Sequence, residues 1–167
     1  MPSEEIKNYI DQKIREHSHK GLDSKRINTF DLFGETQSEI IATPATIATT
    51  GNTDWYVIAP FTGNLDSVDF SGTTALATSD TNYITFTITN LGQAGAGTAV
   101  MLAAVNGNTT KATGGTALVA NTKRSLILSS TATATTVVKG DRLLIRAAAT
   151  GTLANTVTFP VYLLRFK

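Results

Sequence analysis

Cysteine is absent from the chain of 167 residues, and its absence excludes disulfides, thiolate nucleophiles and thiolate metal sites. Histidine occurs only at His17 and His19, so the remainder of the chain has no imidazole base for a Ser-His-Asp triad. Glutamate does not occur after Glu39, whereas a glycosidase needs a positioned pair of carboxylates. We therefore expect no enzymatic activity and no organic cofactor.

Long apolar runs are also missing. No run approaches the roughly 18 residues of a membrane span, and the N-terminal sequence MPSEEIKNYIDQ is too polar for a secretory signal. The net charge of +1 gives no electrostatic reason to expect nucleic acid or an anionic membrane as a partner. The sequence favours a protein made in a cytoplasm, with neither nucleic acid nor membrane among its partners.

Charge is unevenly distributed along the chain. Residues 1–39 hold eight acids and six bases, whereas residues 40–167 hold five acids and eight bases. This boundary predicts an N-terminal helix and attachment segment over 1–39, followed by a β domain over 40–167. A β domain with so few charges stays soluble through hydroxyls and amides, or has much of its surface covered by partners.

The N-terminal segment has the pattern of a short amphipathic helix from about residue 4 to 16. Ile6, Ile10 and Ile14 recur every four residues, and Tyr9 widens the stripe. A helix of this length is marginally stable alone in water, so it must dock on its own β domain, on other copies of the chain or on another protein. Isoleucine at successive seam positions favours assemblies of three or more helices.

Two histidines follow the predicted helix. His17 and His19 project to the same side of an extended chain. One chain supplies too few nitrogens for a closed metal site, whereas three chains around an axis would supply six, enough for octahedral coordination of a transition metal. The alternative is a polar pair with no special role.

Further candidates for attachment lie between the histidines and the β domain. Lys25 and Arg26 would bind carboxylates of a partner or remain solvated. An apolar cluster in the same segment would either pin the linker to the β domain or dock into a neighbouring subunit, and its members are Phe30, Leu32 and Phe33.

The sequence HSHKGLDSKRI over 17–27, with FDLFG over 30–34, resembles a junction found near the N-termini of tailed-phage virion proteins, H-x-H-x-G-x-D-S-x-R/K-I. In those proteins the junction joins an attachment segment to a β-structured head or fibre. Some phage spike and fibre tips carry H-x-H motifs that bind iron at a trimer axis. The resemblance implies a homotrimeric head decoration or head-fibre protein, bound to other virion proteins, with His17 and His19 as metal ligands.

The β domain is predicted from strand-like segments separated by turn signals. The clearest segment is Tyr83–Thr89, where Ile84, Phe86 and Ile88 alternate with threonines. About eight or nine strands predict an antiparallel sandwich or barrel, and the phage-like resemblance favours a jelly roll. The other predicted strands are Trp55–Phe61, Leu65–Phe70, Thr98–Val105, Thr116–Ala120, Ser125–Ser129, Thr135–Val138, Arg142–Ala148 and Val157–Phe166.

Three functional classes fit these patterns. The first is a structural virion protein, a head decoration or head-fibre protein. The second is a tail-fibre or baseplate component with a receptor-binding or adaptor role, whose loops Gly92–Gly97 and Asn106–Gly115 contact a host surface glycan. The third is a carbohydrate-binding module of a cellular protein. Trp55 and Tyr56 are adjacent on a predicted strand, so we expect one of them to point inward, while the other either packs on the protein or stacks on a sugar.

Carboxylates of the β domain provide a last candidate site. Asp66, Asp69 and Asp80 would supply oxygen ligands to calcium, but their spacing fits no EF-hand. We expect them to be solvated carboxylates near turns.

Overall fold

The computed structural model describes residues 38–167, which are mainly β-strand. The predicted helix at 4–16 lies outside this range, so it stays a prediction, as does the division at residue 39. The candidate residues for attachment, oligomerisation and metal binding also lie outside the described residues: Ile6, Tyr9, Ile10, Ile14, His17, His19, Lys25, Arg26, Phe30, Leu32 and Phe33.

The described residues form eleven strands and two short 3-10 helices. The helices span Asn106–Asn108 and Ala132–Thr135. In chain order, the strands are β1 Ser38–Ala42, β2 Thr46–Ile47, β3 Gly51–Ile58, β4 Gly63–Ser71, β5 Tyr83–Asn90, β6 Ala99–Val100, β7 Arg124–Leu126, β8 Thr136–Val137, β9 Arg142–Thr150, β10 Val157–Thr158 and β11 Val161–Phe166.

Two antiparallel sheets contain all the longer strands. Sheet 1 has the order β1-β11-β4-β7 with β8 also beside β4, sheet 2 has the order β3-β9-β5-β6, and β2 pairs with β10 separately. β2, β8 and β10 lie outside the two four-stranded paths, and the pairing of the other eight strands is nested. The first strand pairs with the last, the second with the seventh, the third with the sixth and the fourth with the fifth.

The core lies between the two sheets, where their inward side chains form one cluster. Alternation on β5 buries Ile84, Phe86 and Ile88. Aromatic rings join the sheets directly, because Phe70 of sheet 1 lies 4.8 Å from Phe86 of sheet 2. Burial of each large aromatic side chain removes about 150–250 Å² from water, so these contacts dominate the packing.

The clearest sequence patterns are confirmed. The strand predicted over Tyr83–Thr89 is β5, and the one over Arg142–Ala148 is β9. The predicted turn before β9 is also present, since the Asp141 amide donates to the Val138 carbonyl at 2.8 Å. Gly140 within that turn has a φ of 94°, which a residue without a side chain adopts without strain.

The strands predicted over Trp55–Phe61 and Ser125–Ser129 overlap β3 and β7 only in part, and three further predictions are wrong. Thr98–Val105 is a strand only at β6, because the Met101 amide bonds to Ile88 of β5 while the Ala103 amide bonds to Ile127. The segment therefore passes from one partner to another. Thr116–Ala120 contains no strand, since Leu118 makes only an isolated bridge with Leu76.

The third error is at the end of the chain. Val157–Phe166 is divided into β10 and β11 by Phe159 and Pro160. Phe159 has a φ of 45°, outside the β region, and proline lacks the N–H that a strand ladder needs.

No helix among residues 38–167 is long and apolar enough to span a membrane.

The hydroxyl of Tyr162 predicts a testable effect on stability. The side chain is fully buried, burial raises its pKa, and the hydroxyl has no hydrogen-bond partner among the described residues. An unsatisfied buried polar group costs about 1–3 kcal/mol, so Tyr162→Phe should leave the free energy of unfolding unchanged or raise it by about 1 kcal/mol. Chemical denaturation measures this. Tyr56→Phe, at an exposed tyrosine, is the control and should have no effect; a clear loss of stability in Tyr162→Phe would contradict the expectation.

Candidate functional site

The outer face of sheet 2, which points away from the core, carries exposed apolar side chains on its edge strand β3. On β3, Tyr56 is 52% exposed and Ile58 is 68% exposed. Trp55 points the opposite way and packs against Tyr162 with ring centroids 6.0 Å apart. The expectation that one of Trp55 and Tyr56 points inward is therefore confirmed.

Arginines of β9 cover part of this face. The guanidinium of Arg142 lies 4.6 Å from the centre of the Tyr56 ring. Arg146 donates from Nε and Nη2 to the two carboxylate oxygens of Asp54, at 2.7 Å each. These hydrogen bonds lower the pKa of Asp54, burial opposes the shift, and the charge of Arg146 adds to it. The charges of the β3–β9 surface are thus paired across neighbouring strands.

A cleft of about 270 Å³ opens on the same sheet, between the outer face of β5 and the segment that follows β6. Thr85 and Thr87 of β5 line it with side-chain hydroxyls that have no partner among the described residues. At one end, Lys111 lies 4.7 Å from the centre of the Tyr83 ring. The rest of the lining is mostly apolar, with two asparagines and a third threonine: Phe86, Val100, Leu102, Ala103, Ala104, Val105, Asn106, Asn108 and Thr109. Such a surface offers the hydroxyls of Thr85 and Thr87 to a polyhydroxylated ligand.

The side chain of Asn108 holds the wall of the cleft, because it makes hydrogen bonds to backbone groups that a neighbouring strand would otherwise bind. Its amide nitrogen donates to the carbonyls of Ala103 and Ile127 at 2.8 and 2.7 Å. Its side-chain oxygen accepts from the Ile127 amide at 2.7 Å. Three backbone groups are satisfied in this way, so the irregular wall has a fixed geometry.

Arg124 holds the neighbouring loop through three backbone carbonyls. Its guanidinium donates to the oxygens of Gly107, Thr109 and Thr116 at 2.8, 2.7 and 2.9 Å. The same group lies 5.4 Å from the centre of the Phe86 ring, and burial lowers its pKa. The loop therefore depends on a cation from β7, at a site that no sequence pattern indicated.

On the outer face of sheet 1, Asp69 is the centre of an ionic network. It is only 6% exposed. It accepts hydrogen bonds from Ser125 at 2.7 Å and Arg165 at 2.8 Å, and Lys123 lies 3.5 Å away. Burial opposes ionisation, but these partners together hold the pKa of Asp69 below its usual value. Arg165 also bonds to Glu39 at 3.1 Å. The network therefore connects β1, β11, β4 and β7.

The other carboxylates form local contacts. Asp80 accepts from the amide and hydroxyl of Thr113 at 2.9 and 3.0 Å, which lowers its pKa. Asp141 accepts from Asn90 and from the Val138 amide, both at 2.8 Å. Asp66 is paired with Lys167. Within residues 38–167, no cluster of three potential metal-binding side chains occurs, and Asp66, Asp69 and Asp80 each have separate partners.

Of the two loops predicted to contact a glycan, one lines the cleft and the other does not. Asn106–Gly115, predicted to contact a glycan, lines the cleft through Asn106, Asn108 and Lys111. Gly92–Gly97 does not line it. The alternating threonines of β5 indicate the solvent-facing side of that strand. Nothing in the sequence indicates which segment lies against this side.

Comparisons with known proteins gave one structural likeness. A chain from the solved structure of the infectious bursal disease virus Gx strain is similar to 79% of this chain, with 12% identity and a TM-score of 0.37. This chain spans about a third of that viral chain, 33%. No protein-family model and no curated protein sequence matches.

The Asp69 network predicts a pH-dependent contribution to stability. A lowered pKa in the folded state stabilises the protein above the unfolded value of 3.8, and the contribution is lost as pH falls through the folded pKa. Asp69→Asn should lower the free energy of unfolding at neutral pH by about 1.5–3 kcal/mol, the range for hydrogen bonds to charged groups.

The same substitution should reduce the loss of stability on acidification, measured by denaturation between neutral pH and the acid limit. Asp66→Asn is the matched control, because its ion pair is far more exposed. Exposed pairs contribute about 0–1 kcal/mol. Equal effects of the two substitutions would contradict the importance assigned to Asp69.

Proposed function

We propose that the protein is a structural component of a virus particle, specifically a head decoration or head-fibre protein of a tailed phage. In this role residues 1–39 attach to other virion proteins and the β domain projects. The observation that carries the proposal is the nested strand pairing, in which β1 pairs with β11 and β3 with β9. It supports a jelly roll, an architecture that occurs in viral capsid domains and in lectins.

The surface of the β domain supports a role in assembly. Several large apolar side chains are exposed although the domain has few charges, and they occur on both sheets and in the loops. Apolar side chains that lie together on a surface favour contact with a partner, and Tyr56 and Ile58 lie together on one face of β3. The exposed apolar side chains are Ile41, Tyr56, Ile58, Val100, Val105, Val119, Ile127, Val138, Phe159 and Val161.

The carboxylates of the described residues also fit a structural role. Glu39, Asp54, Asp66 and Asp69 are in ion pairs with arginine or lysine, while Asp80 accepts hydrogen bonds from Thr113 and Asp141 accepts one from Asn90 of β5. A hydrolytic site needs a carboxylate or imidazole directed at a substrate. The bonding of these carboxylates favours stabilisation of the fold over chemistry.

A receptor-binding or adaptor role on a tail fibre or baseplate is a second candidate. The cleft beside β5 favours it, because Thr85 and Thr87 present two hydroxyls without partners in the described structure. Microscopy of intact virions distinguishes the two roles by locating the protein on the head or on the tail. Specific binding to an array of host surface glycans would favour the tail role, and it would also fit the third candidate, a carbohydrate-binding module.

Removal of residues 1–37, which leaves β1 whole, tests whether the N-terminal segment attaches the protein while the β domain folds by itself. Burial of an isoleucine side chain contributes roughly 1.5–3 kcal/mol, so loss of Ile6, Ile10 and Ile14 should abolish incorporation into particles, while the β domain should remain folded by circular dichroism. Ile10→Asp with Ile14→Asp should mimic the deletion, because a carboxylate is costly in an apolar seam. The control places aspartate off the stripe, at Asn8 and Gln12. A truncated chain that still decorates particles normally would identify the β domain as the attachment surface.

The oligomeric state and the histidines are tested together. We expect a homotrimer by light scattering, since an isoleucine seam favours three or more helices. If His17 and His19 meet at the axis, elemental analysis should find about one transition metal per three chains, consistent with six nitrogen ligands. His17→Ala with His19→Ala should then remove the metal. A monomer at micromolar concentration would exclude both the trimer and the shared metal site.

A further inference from the structure

The free edge of β3 exposes a row of backbone hydrogen-bonding groups. β3 lies at the end of sheet 2 and pairs only with β9. Just beyond β3, the Ala59 amide donates to Asp141 and the Ala59 carbonyl accepts from Gly140, both at 2.8 Å, so Ala59 directs both groups toward the β9 side. Along a β-strand, the backbone N–H and C=O of successive residues point alternately to one neighbouring strand and to the other. The groups that point away from β9 therefore belong to Asn52, Asp54, Tyr56 and Ile58.

Those four residues have no backbone partner on the free edge among residues 38–167. Natural sheets protect such an edge with proline, lysine, a bulge or a covering segment. β3 contains no proline and no lysine, and its register with β9 is continuous over eight residues. Its single charge, on Asp54, is already paired with Arg146. The edge is therefore suited to accept another strand.

We propose that β3 pairs with β3 of a second copy of this chain, in antiparallel orientation across a two-fold axis. The two four-stranded sheets then become one eight-stranded sheet. An antiparallel two-fold arrangement is self-complementary, because each copy offers the same donors and acceptors. Pairing of four residues from each copy forms eight backbone hydrogen bonds, within the range of about 10 ± 5 that a standard-sized interface carries.

The charges of Asp54 and Arg142 favour one register of the two strands and favour a second copy of this chain as the partner. With Asp54 opposite Tyr56 of the partner subunit, all four outward residues of each copy are paired. The Arg142 guanidinium lies over the Tyr56 ring, so this register brings Arg142 of the partner subunit toward Asp54. A register centred on Asp54 places it opposite Asp54 of the partner subunit, and like charges directly opposite destabilise a sheet. A register centred on Tyr56 leaves Asn52 without an opposite residue in β3.

The inner side of β3 gains contacts in the same register. Trp55 is only partly buried at the open edge of the core. On the two-fold axis it meets Trp55 of the partner subunit, and aromatic pairs contribute beyond their buried area. This pairing does not depend on the proposed virion role. If the chain also forms trimers through its N-terminal segment, pairing of β3 with β3 would join one trimer to another.

Hydrogen exchange of the full-length protein tests the proposal at single residues. The amides of Thr53, Trp55 and Val57 bond to β9 and should exchange slowly at every concentration. The amides of Asp54, Tyr56 and Ile58 should exchange at least about tenfold more slowly at high than at low protein concentration, since pairing protects them. Fast exchange of these three amides at all concentrations would overturn the proposal. Slow exchange without concentration dependence would also overturn it, because another segment of the same chain would then cover the edge.

Substitutions on the edge provide the second measurement. Tyr56→Lys with Ile58→Lys places two like charges on β3, so it should abolish the concentration dependence of exchange and reduce the mass of the largest species by half in sedimentation. Val119→Lys with Phe159→Lys is the matched control, because these side chains are 61% and 73% exposed and lie outside β3. The control should retain the wild-type mass. If both pairs of substitutions reduce the mass equally, β3 is not the interface.

Discussion

The contact between the two sheets is the constraint on which the β domain depends. Phe70 and Tyr162 come from neighbouring strands of sheet 1 and lie 4.9 Å apart, and Phe70 also meets Phe86 of sheet 2. The strands that contribute these rings are far apart in sequence, so the core forms only after distant segments have paired. Such topologies fold slowly because loop closure precedes the stabilising contacts. The same packing fixes which face of each strand points outward, and thereby positions the β3 edge and the cleft.

Between β6 and β7 the chain replaces regular strands with bonds from a few polar side chains. Asn108 satisfies the backbone of Ala103 and Ile127, while Arg124 holds three carbonyls. Both residues are held by multiple partners, so each bond also orients the others. The long segment consequently remains ordered with little regular secondary structure, and it gives the outer face of β5 a cleft in place of a flat surface.

The sequence predicts best where one physical signal acts alone. In β5 the alternation of apolar residues with threonine reflects burial on one face, so the strand was found almost to its ends. Thr116–Ala120 is also apolar enough for a strand, but Leu118 makes only an isolated bridge with Leu76, and the absence of a partner strand cannot be seen in composition. The roles of Arg124 and Asp69 depend on residues that are distant in the chain. For the same reason the cleft and the free edge of β3 were not predicted, while the assignments within residues 1–37 stay predictions.

The pairing of β1 with β11 has a consequence for chain connectivity. Ser38 lies opposite Phe166, and Lys167 is bonded through its amide to Asn64 of β4. The beginning and the end of the β domain are therefore neighbours in one sheet. A short linker from Lys167 to Ser38 would close the domain into a ring without rearranging its strands. Circular permutants opened at the exposed glycine-rich loop before β6 would then keep every sheet contact, although the order in which the strands are synthesised would change.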